Sequence, residues 1–252
     1  MMRSRRFLLS VMKAIPKAGA FGCFLLSNLQ ANPLIEAAHQ NNLAKVQALI
    51  GDGVSVNEAN RYGVTALSQA CQNGNAEMVG LLLKSGAEAN LALPGNESPL
   101  HTASRTGKLE SVKLLVSAGA KIDAREHRDQ TPLMWAASDG HADVVRYLLE
   151  KGAGFKKPLA SGYTPLLFAV RQGHADIVKV LVEKGADVNE AAKVKRGRKR
   201  MSDGTSPLIL AIENGHFELA AYLLTIGANA NDLRSGYSPL HVLSWVRKSV
   251  KG

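Results

Sequence analysis

Apolar positions in this chain recur with two nested periods. Residues 131–153, TPLMWAASDGHADVVRYLLEKGA, show the inner one. Leu133, Ala136 and Ala137 are spaced as one face of a helix, and Val144, Val145, Leu148 and Leu149 as one face of a second. Thr131 supplies a hydroxyl to cap the first helix, and Pro132 suits its first position, where a missing N–H costs nothing. Gly140 permits the left-handed residue that ends it, and Gly152 ends the second. The chain then extends into a hairpin finger. Helices of about eight to ten residues do not persist alone in water, so the pattern predicts helix pairs that are stable only when stacked.

The outer period is the repetition of that unit. The turn-into-helix motif recurs at Pro33-Leu34, Thr65-Ala66-Leu67, Ser98-Pro99-Leu100-His101, Thr131-Pro132-Leu133, Thr164-Pro165-Leu166, Ser206-Pro207-Leu208 and Ser238-Pro239-Leu240-His241. Its leucines are 33 residues apart up to Leu166, then 42 and 32 apart. Gly74, Gly107, Gly140, Gly173 and Gly215 follow seven residues after a motif leucine; Gly53, Gly86, Gly119, Gly152, Gly185 and Gly227 close the units. This register resembles the ankyrin repeat over nearly all of residues 32–252. The resemblance implies an all-α repeat solenoid, with about six helix-turn-helix units, a partial seventh and β-hairpin fingers on a concave side.

Departures from the motif carry expectations of their own. The resemblance implies a histidine after Pro-Leu that hydrogen-bonds within and between units. His101 and His241 keep it, while Ser68, Met134, Leu167 and Ile209 replace it and trade a polar tie for packing. Trp135 and Phe168 take a half-buried position and are expected to serve the core rather than an aromatic binding box, and His141, His174 and His216 to serve the turn. Polar residues at 39–42 suit a terminal cap, whereas the seventh unit stops before any second helix. Leu243, Trp245 and Val246 would then lie near an uncovered end, so either a longer array continues or that end docks on something.

Charge changes the picture only locally. The formal net charge is +10, but residues 1–31 hold five cations and no acid. KVKRGRKR, residues 193–200, holds six more: Lys193, Lys195, Arg196, Arg198, Lys199 and Arg200. The remainder has 20 Lys and Arg against 21 Asp and Glu, so the body is near neutral. The basic run falls in the nine-residue excess between Leu166 and Leu208, an insertion at 190–203 that extends one finger. Its readings are a solvated loop, a contact with an acidic protein, polyanion or anionic surface, and a nuclear or nucleic-acid role. No aromatic residue interleaves with the cations, which weighs against single-strand binding.

Residues 1–31 read as an N-terminal export signal: basic, then uncharged from Ala18 to Leu29, then Ala31 as a cleavage point. Ser4-Arg5-Arg6-Phe7-Leu8-Leu9 resembles a twin-arginine motif, and the apolar stretch is too short to span a bilayer. The expected localisation is periplasmic or extracellular in a bacterium, and cytoplasmic if the segment is not a signal. The segments at 162–189 and 203–224 likewise resemble exported bacterial ankyrin-repeat proteins.

Two cysteines form no disulfide framework, and Cys71 falls on an apolar helix as a buried thiol. There is no GxSxG, P-loop, HExxH or dinucleotide-binding GxGxxG, so no catalytic residue, cofactor, metal or small-molecule substrate is expected. The favoured function is a non-catalytic protein-interaction scaffold. By resemblance, the partner surface comes from finger tips and the solvent side of the inner helices. The candidate residues there are Arg61, Tyr62, Arg105, Arg125, His127, Arg128, Lys156, Lys157, Arg171, Gln172 and Glu213. The alternative is a charge-driven binder of nucleic acid, a polyanion or an anionic surface, acting through residues 193–200.

Overall fold

A computed structural model describes residues 32–192 and 204–249. Among these residues lie thirteen helices, paired in chain order. They are α1 (Pro33–His39), α2 (Leu43–Gly51), α3 (Ala66–Asn73), α4 (Ala76–Lys84), α5 (Pro99–Arg105), α6 (Leu109–Ser117) and α7 (Pro132–Asp139). There follow α8 (Ala142–Glu150), α9 (Pro165–Gln172), α10 (Ala175–Glu183), α11 (Pro207–Glu213), α12 (Phe217–Thr225) and α13 (Pro239–Ser249). The odd-numbered helices open the units and begin where the motif places them. Thr131, Thr164 and Ser206 accept the backbone N–H of Met134, Leu167 and Ile209, satisfying donors that a helix start leaves unpaired. Thr65 and Ser68 cap α3 reciprocally.

No described helix exceeds eleven residues, so packing must hold the array together. The odd-numbered helices touch in sequence from α1 to α13; among the even-numbered ones the main contacts run from α4 to α10. Alanines at 37, 70, 103, 136, 169 and 211 are fully buried and let the opening helices approach closely. Closer approach along one row bends the array toward it, which makes the odd-numbered helices the inner, concave row. The leucines of the first six motifs are all buried, as are Met134, Leu167 and Ile209 in place of the motif histidine. The insertion before α11 leaves the stacking of α9 on α11 intact.

The fingers are tight. Each of those ending at Val64, Glu97, Gln130 and Tyr163 closes with two backbone bonds, such as Asn60 N–H to Val64 C=O at 2.9 Å and Gly63 N–H to Asn60 C=O at 2.8 Å. Two bonds are too few for a strand ladder, and no β-strand occurs among the described residues. At the base of the insertion, Ala192 and Thr205 form an isolated antiparallel bridge. The basic run itself, and residues 1–31, lie outside the described residues.

Candidate partner-binding face

Two sets of side chains bind the units together, and they define by exclusion which positions remain for function. The first set follows the repeat glycine. His141, His174 and His216 each donate Nε2–H to a carbonyl of the preceding unit's inner helix: Arg105 at 2.8 Å, Ser138 at 3.0 Å and Arg171 at 3.0 Å. They serve the joint between units, not the turn within one. Each ring lies against the glycine of the unit before, so a Cβ on Gly107 would come within 2.3 Å of His141, in addition to the left-handed φ of 70° there. The second set sits at the finger base. Asn57, Asn90 and Asn189 donate to the carbonyls of Gly86, Gly119 and Gly227 and accept the N–H of Glu88, Lys121 and Asn229. Asp123 accepts from Gly154 N–H at 2.9 Å. The remaining member of this series, between Asp123 and Asn189, is Lys156, which cannot make that tie.

The retained motif histidine works as the resemblance implies. His101 is fully buried; its Nδ1 accepts the Ser98 N–H at 3.2 Å, so Nε2 carries the proton and donates to the Gln130 carbonyl in the next finger at 3.1 Å. Burial lowers its pKa, and bonds and charges around it only partly offset that. Burial also pushes the Cys71 thiol up to about 12, which leaves it unreactive.

Of the expected partner-binding residues, Lys156 and Lys157 stand near a finger base, and the others on the fingers and the inner helices. Arg61 and Tyr62 pair with each other at the first tip, guanidinium to hydroxyl at 2.6 Å, and Tyr62 is exposed. Arg125 is held by the Asp129 carboxylate at 2.8 Å. His127 packs on Gly95 and its N–H bonds the Gly95 carbonyl at 2.7 Å, so neighbouring tips touch. Lys156 lies 5.7 Å from the Phe155 ring centroid. The side chains of Arg128, Lys157, Arg171 and Gln172 are exposed and form no bond with the described residues. Glu213 is exposed at the end of α11 and is not without interactions.

Arg105 is the candidate with the richest surroundings. Its guanidinium lies over Trp135 at 5.5 Å, donates to Gln72 at 2.7 Å and sits 4.0 Å from Glu97. Trp135 and Phe168 are half-buried, as expected, but neither packs against the apolar core, which corrects the core expectation. Trp135 contacts His101 edge-on and donates Nε1–H to Gln130 at 3.0 Å; Phe168 lies 5.2 Å from Tyr163 of its own finger. The physical reason is register: two residues after the motif leucine, side chains lie at the edge of the core, where Gln69 is half-buried, Thr102 is buried and bonded to Glu97, and Leu210 packs in the core. The position is thus mixed, and the sequence carries no signal that sets Trp135 and Phe168 outside the core.

At the start of the insertion lies a half-buried acid. Burial pushes the Glu190 carboxyl up to about 7; the hydrogen bond from the Thr164 hydroxyl opposes this, and Asp187 adds to it. In the last finger, burial also raises Asp232. Its bonds from Arg234 and Ser206 more than reverse that, leaving it below the usual carboxylate range. Arg234 reaches on to the Asn189 carbonyl at 2.8 Å and joins the two fingers. Among the described residues, no group of three or more His, Cys, Asp or Glu is placed to hold a metal. No described helix is long and apolar enough to cross a membrane.

Stacked helix pairs with short fingers define a repeat array. A sequence model for ankyrin repeats in three copies matches residues 16–93, 34–126 and 100–192, and one for the single ankyrin repeat matches 203–234. The chain belongs to the ankyrin-repeat family. It is also similar to the crystal structure of the human ASB11 ankyrin repeat domain, with 28% identity and a TM-score of 0.75 over 88% of this chain and 99% of that one. Of the curated proteins, none matches. Since 652 solved chains share the likeness, the fold does not select a partner.

Proposed function

We propose that this chain is a non-catalytic scaffold that holds a protein partner on its finger tips and inner-helix face. One observation carries the reading: the ties between units run mainly through the Asn and His positions, which leaves several exposed inner-helix and finger side chains without a bond among the described residues. Arg128, Lys157, Arg171 and Gln172 are such residues, and Lys156 stands where a tie would otherwise be. A rigid curved surface with variable side chains is what ankyrin arrays generally use for protein–protein interaction. The test is a photo-crosslinking residue placed at position 171 of the inner face and, separately, at position 113 of the outer helix α6. Partner capture from 171 and not from 113 supports the reading. Capture from 113 alone contradicts it.

The basic insertion gives a second reading, favoured by the Ala192–Thr205 bridge, which closes the finger beneath it. A salt-sensitive contact through Lys193, Lys195, Arg196, Arg198, Lys199 and Arg200 would bring in an acidic or polyanionic partner. Replacing the six with Gln should then abolish low-salt retention on heparin. Unchanged retention disposes of it. Residues 1–31 are proposed to export the chain in a bacterial cell. Sequencing the mature N-terminus from cell fractions tests this, and an intact Met1 in the cytoplasm would contradict it.

A further inference from the structure

The inner face of the middle units combines apolar rings with cations, of which the side chains of Arg105 and Trp135 also touch neighbouring units and that of Arg171 does not. Trp135 and Phe168 occupy the same position in adjacent units and stay outside the core. Three residues after each of these two positions along the chain lie Ser138 and Arg171, and Arg105 reaches from the unit before to cover Trp135. Arg171 is exposed and forms no side-chain bond among the described residues, and Lys156, Lys157 and Arg128 stand on the fingers of the same units. Of the acids nearby, Asp129 pairs with Arg125, Glu97 with Thr102 at 2.8 Å and with Arg105, and Glu126 with His127, while Asp139 at the end of α7 is exposed and forms no bond among the described residues. Against this one acid stand Arg128, Lys157 and Arg171, so the free charge of this face is net positive, although the repeat body as a whole is near neutral.

We infer that this face takes an acidic, extended segment of a partner protein, its apolar side chains seated on Trp135 and Phe168 and its carboxylates on Arg105 and Arg171. The inference rests on the scaffold reading above and adds the chemistry of the partner. Arginine suits the role because its planar fork meets a carboxylate with two parallel bonds and stacks on rings. Spacing gives a further constraint. Packed helices lie about 8–10 Å apart and an extended chain advances about 3.3 Å per residue, so anchors on adjacent units fall about three residues apart. A continuous phosphate backbone fits less well. It would meet Glu97 and Asp129 on the same face, where a peptide can place neutral residues.

The experiment selects random displayed peptides on the full chain, then titrates the winners into the Trp245→Phe variant. Trp135 is then its only tryptophan, since the chain has two. Acidic winners with apolar residues about three apart should change Trp135 emission and weaken with salt. Arg105→Gln and Arg171→Gln should each weaken them about tenfold, the loss of one charge-assisted contact. Trp135→Leu, which keeps an apolar side chain, should weaken them less than Trp135→Ala.

Neutral or basic winners, or acidic ones indifferent to both arginine substitutions, overturn the inference and leave the scaffold reading standing. Tighter binding of a single-stranded oligonucleotide than of any peptide, lost with Arg171→Gln, overturns it in favour of a nucleic-acid surface. Failure to select any peptide overturns the inference and, if crosslinking from position 171 also captures nothing, the scaffold reading with it.

Discussion

Leu133 and Leu240 occupy the same place in the same motif, each following Pro at the start of an inner helix. Leu133 is 0% exposed and Leu240 is 73% exposed. Their histidine neighbours differ in the same way: buried His101 bonds the next finger, whereas His241 is exposed and its ring bonds only Ser238 of its own unit. Seven of the eight large exposed apolar residues among the described ones lie between Phe217 and Trp245. Leu208, Ile212, Phe217, Leu224, Leu240 and Leu243 line a groove of about 380 Å³ between α11, α12 and α13. Identical local chemistry thus gives a buried core in one unit and an open apolar face in another. What differs is the neighbour, so in this fold burial belongs to the joint and not to the repeat.

The largest effect that could break this comparison is a pair of truncations. Leu133→Ala should cost about 2–5 kcal/mol, the range for a fully buried leucine, whereas Leu240→Ala should stay within about 0.5 kcal/mol. Urea denaturation of the full chain reads both, and similar costs would refute the contrast.

Next is the joint that carries the insertion. Its Glu190 carboxyl, raised by burial to about 7, holds its proton in the folded chain at pH values where the unfolded chain has lost it. The stability it contributes is full below its ordinary value of 4.5 and is lost as pH rises through about 7. Glu190→Gln should remove this dependence, gaining up to about 3 kcal/mol relative to the parent between pH 4 and pH 8. Denaturation midpoints at pH 5 and pH 8 measure it, and parallel shifts in both proteins would contradict it.

A smaller effect separates two glycines of similar φ. Gly140 lies at 86° with the His174 ring against it, and Gly215 at 78° with open space. Alanine is strained at either. At Gly140 it should cost about 1 kcal/mol more, the net worth of the His174 bond to Ser138 that the ring must give up. His174→Ala should erase that difference in a double-mutant cycle.

The smallest is a gain. Lys156→Asn restores the missing finger tie, toward the Gly185 carbonyl, and should stabilise by about 0.5–1 kcal/mol. A loss of stability would show that the series of ties is not what holds the finger bases.

The fold was legible because its signals are local. Pro132 starts a helix and Gly140 ends one through their own backbone preferences, and each signal recurs at the repeat period. The ties were less legible because they join residues 29 to 45 positions apart, such as Asn57 to Gly86 and His216 to Arg171. The histidines were read as turn residues since nothing adjacent in sequence marks the carbonyl they reach. Trp135 and Phe168 were read as core because an apolar residue on an inner helix looks the same whether it faces a neighbour or the concave side. Alignment does not tell them apart either, since the same register position holds buried Thr102 and Leu210 beside half-buried Trp135 and Phe168. The raised carboxyl of Glu190 depends on burial against the neighbouring unit, where its partner Thr164 lies 26 positions away.

Native-state hydrogen exchange of the full chain tests most directly whether neighbours, not repeats, hold the helices. Amides of α7, flanked on both sides, should open only near the free energy of global unfolding, while those of α13 should exchange at far lower cost despite the shared Pro-Leu start. Equal protection of the two helices would contradict the account.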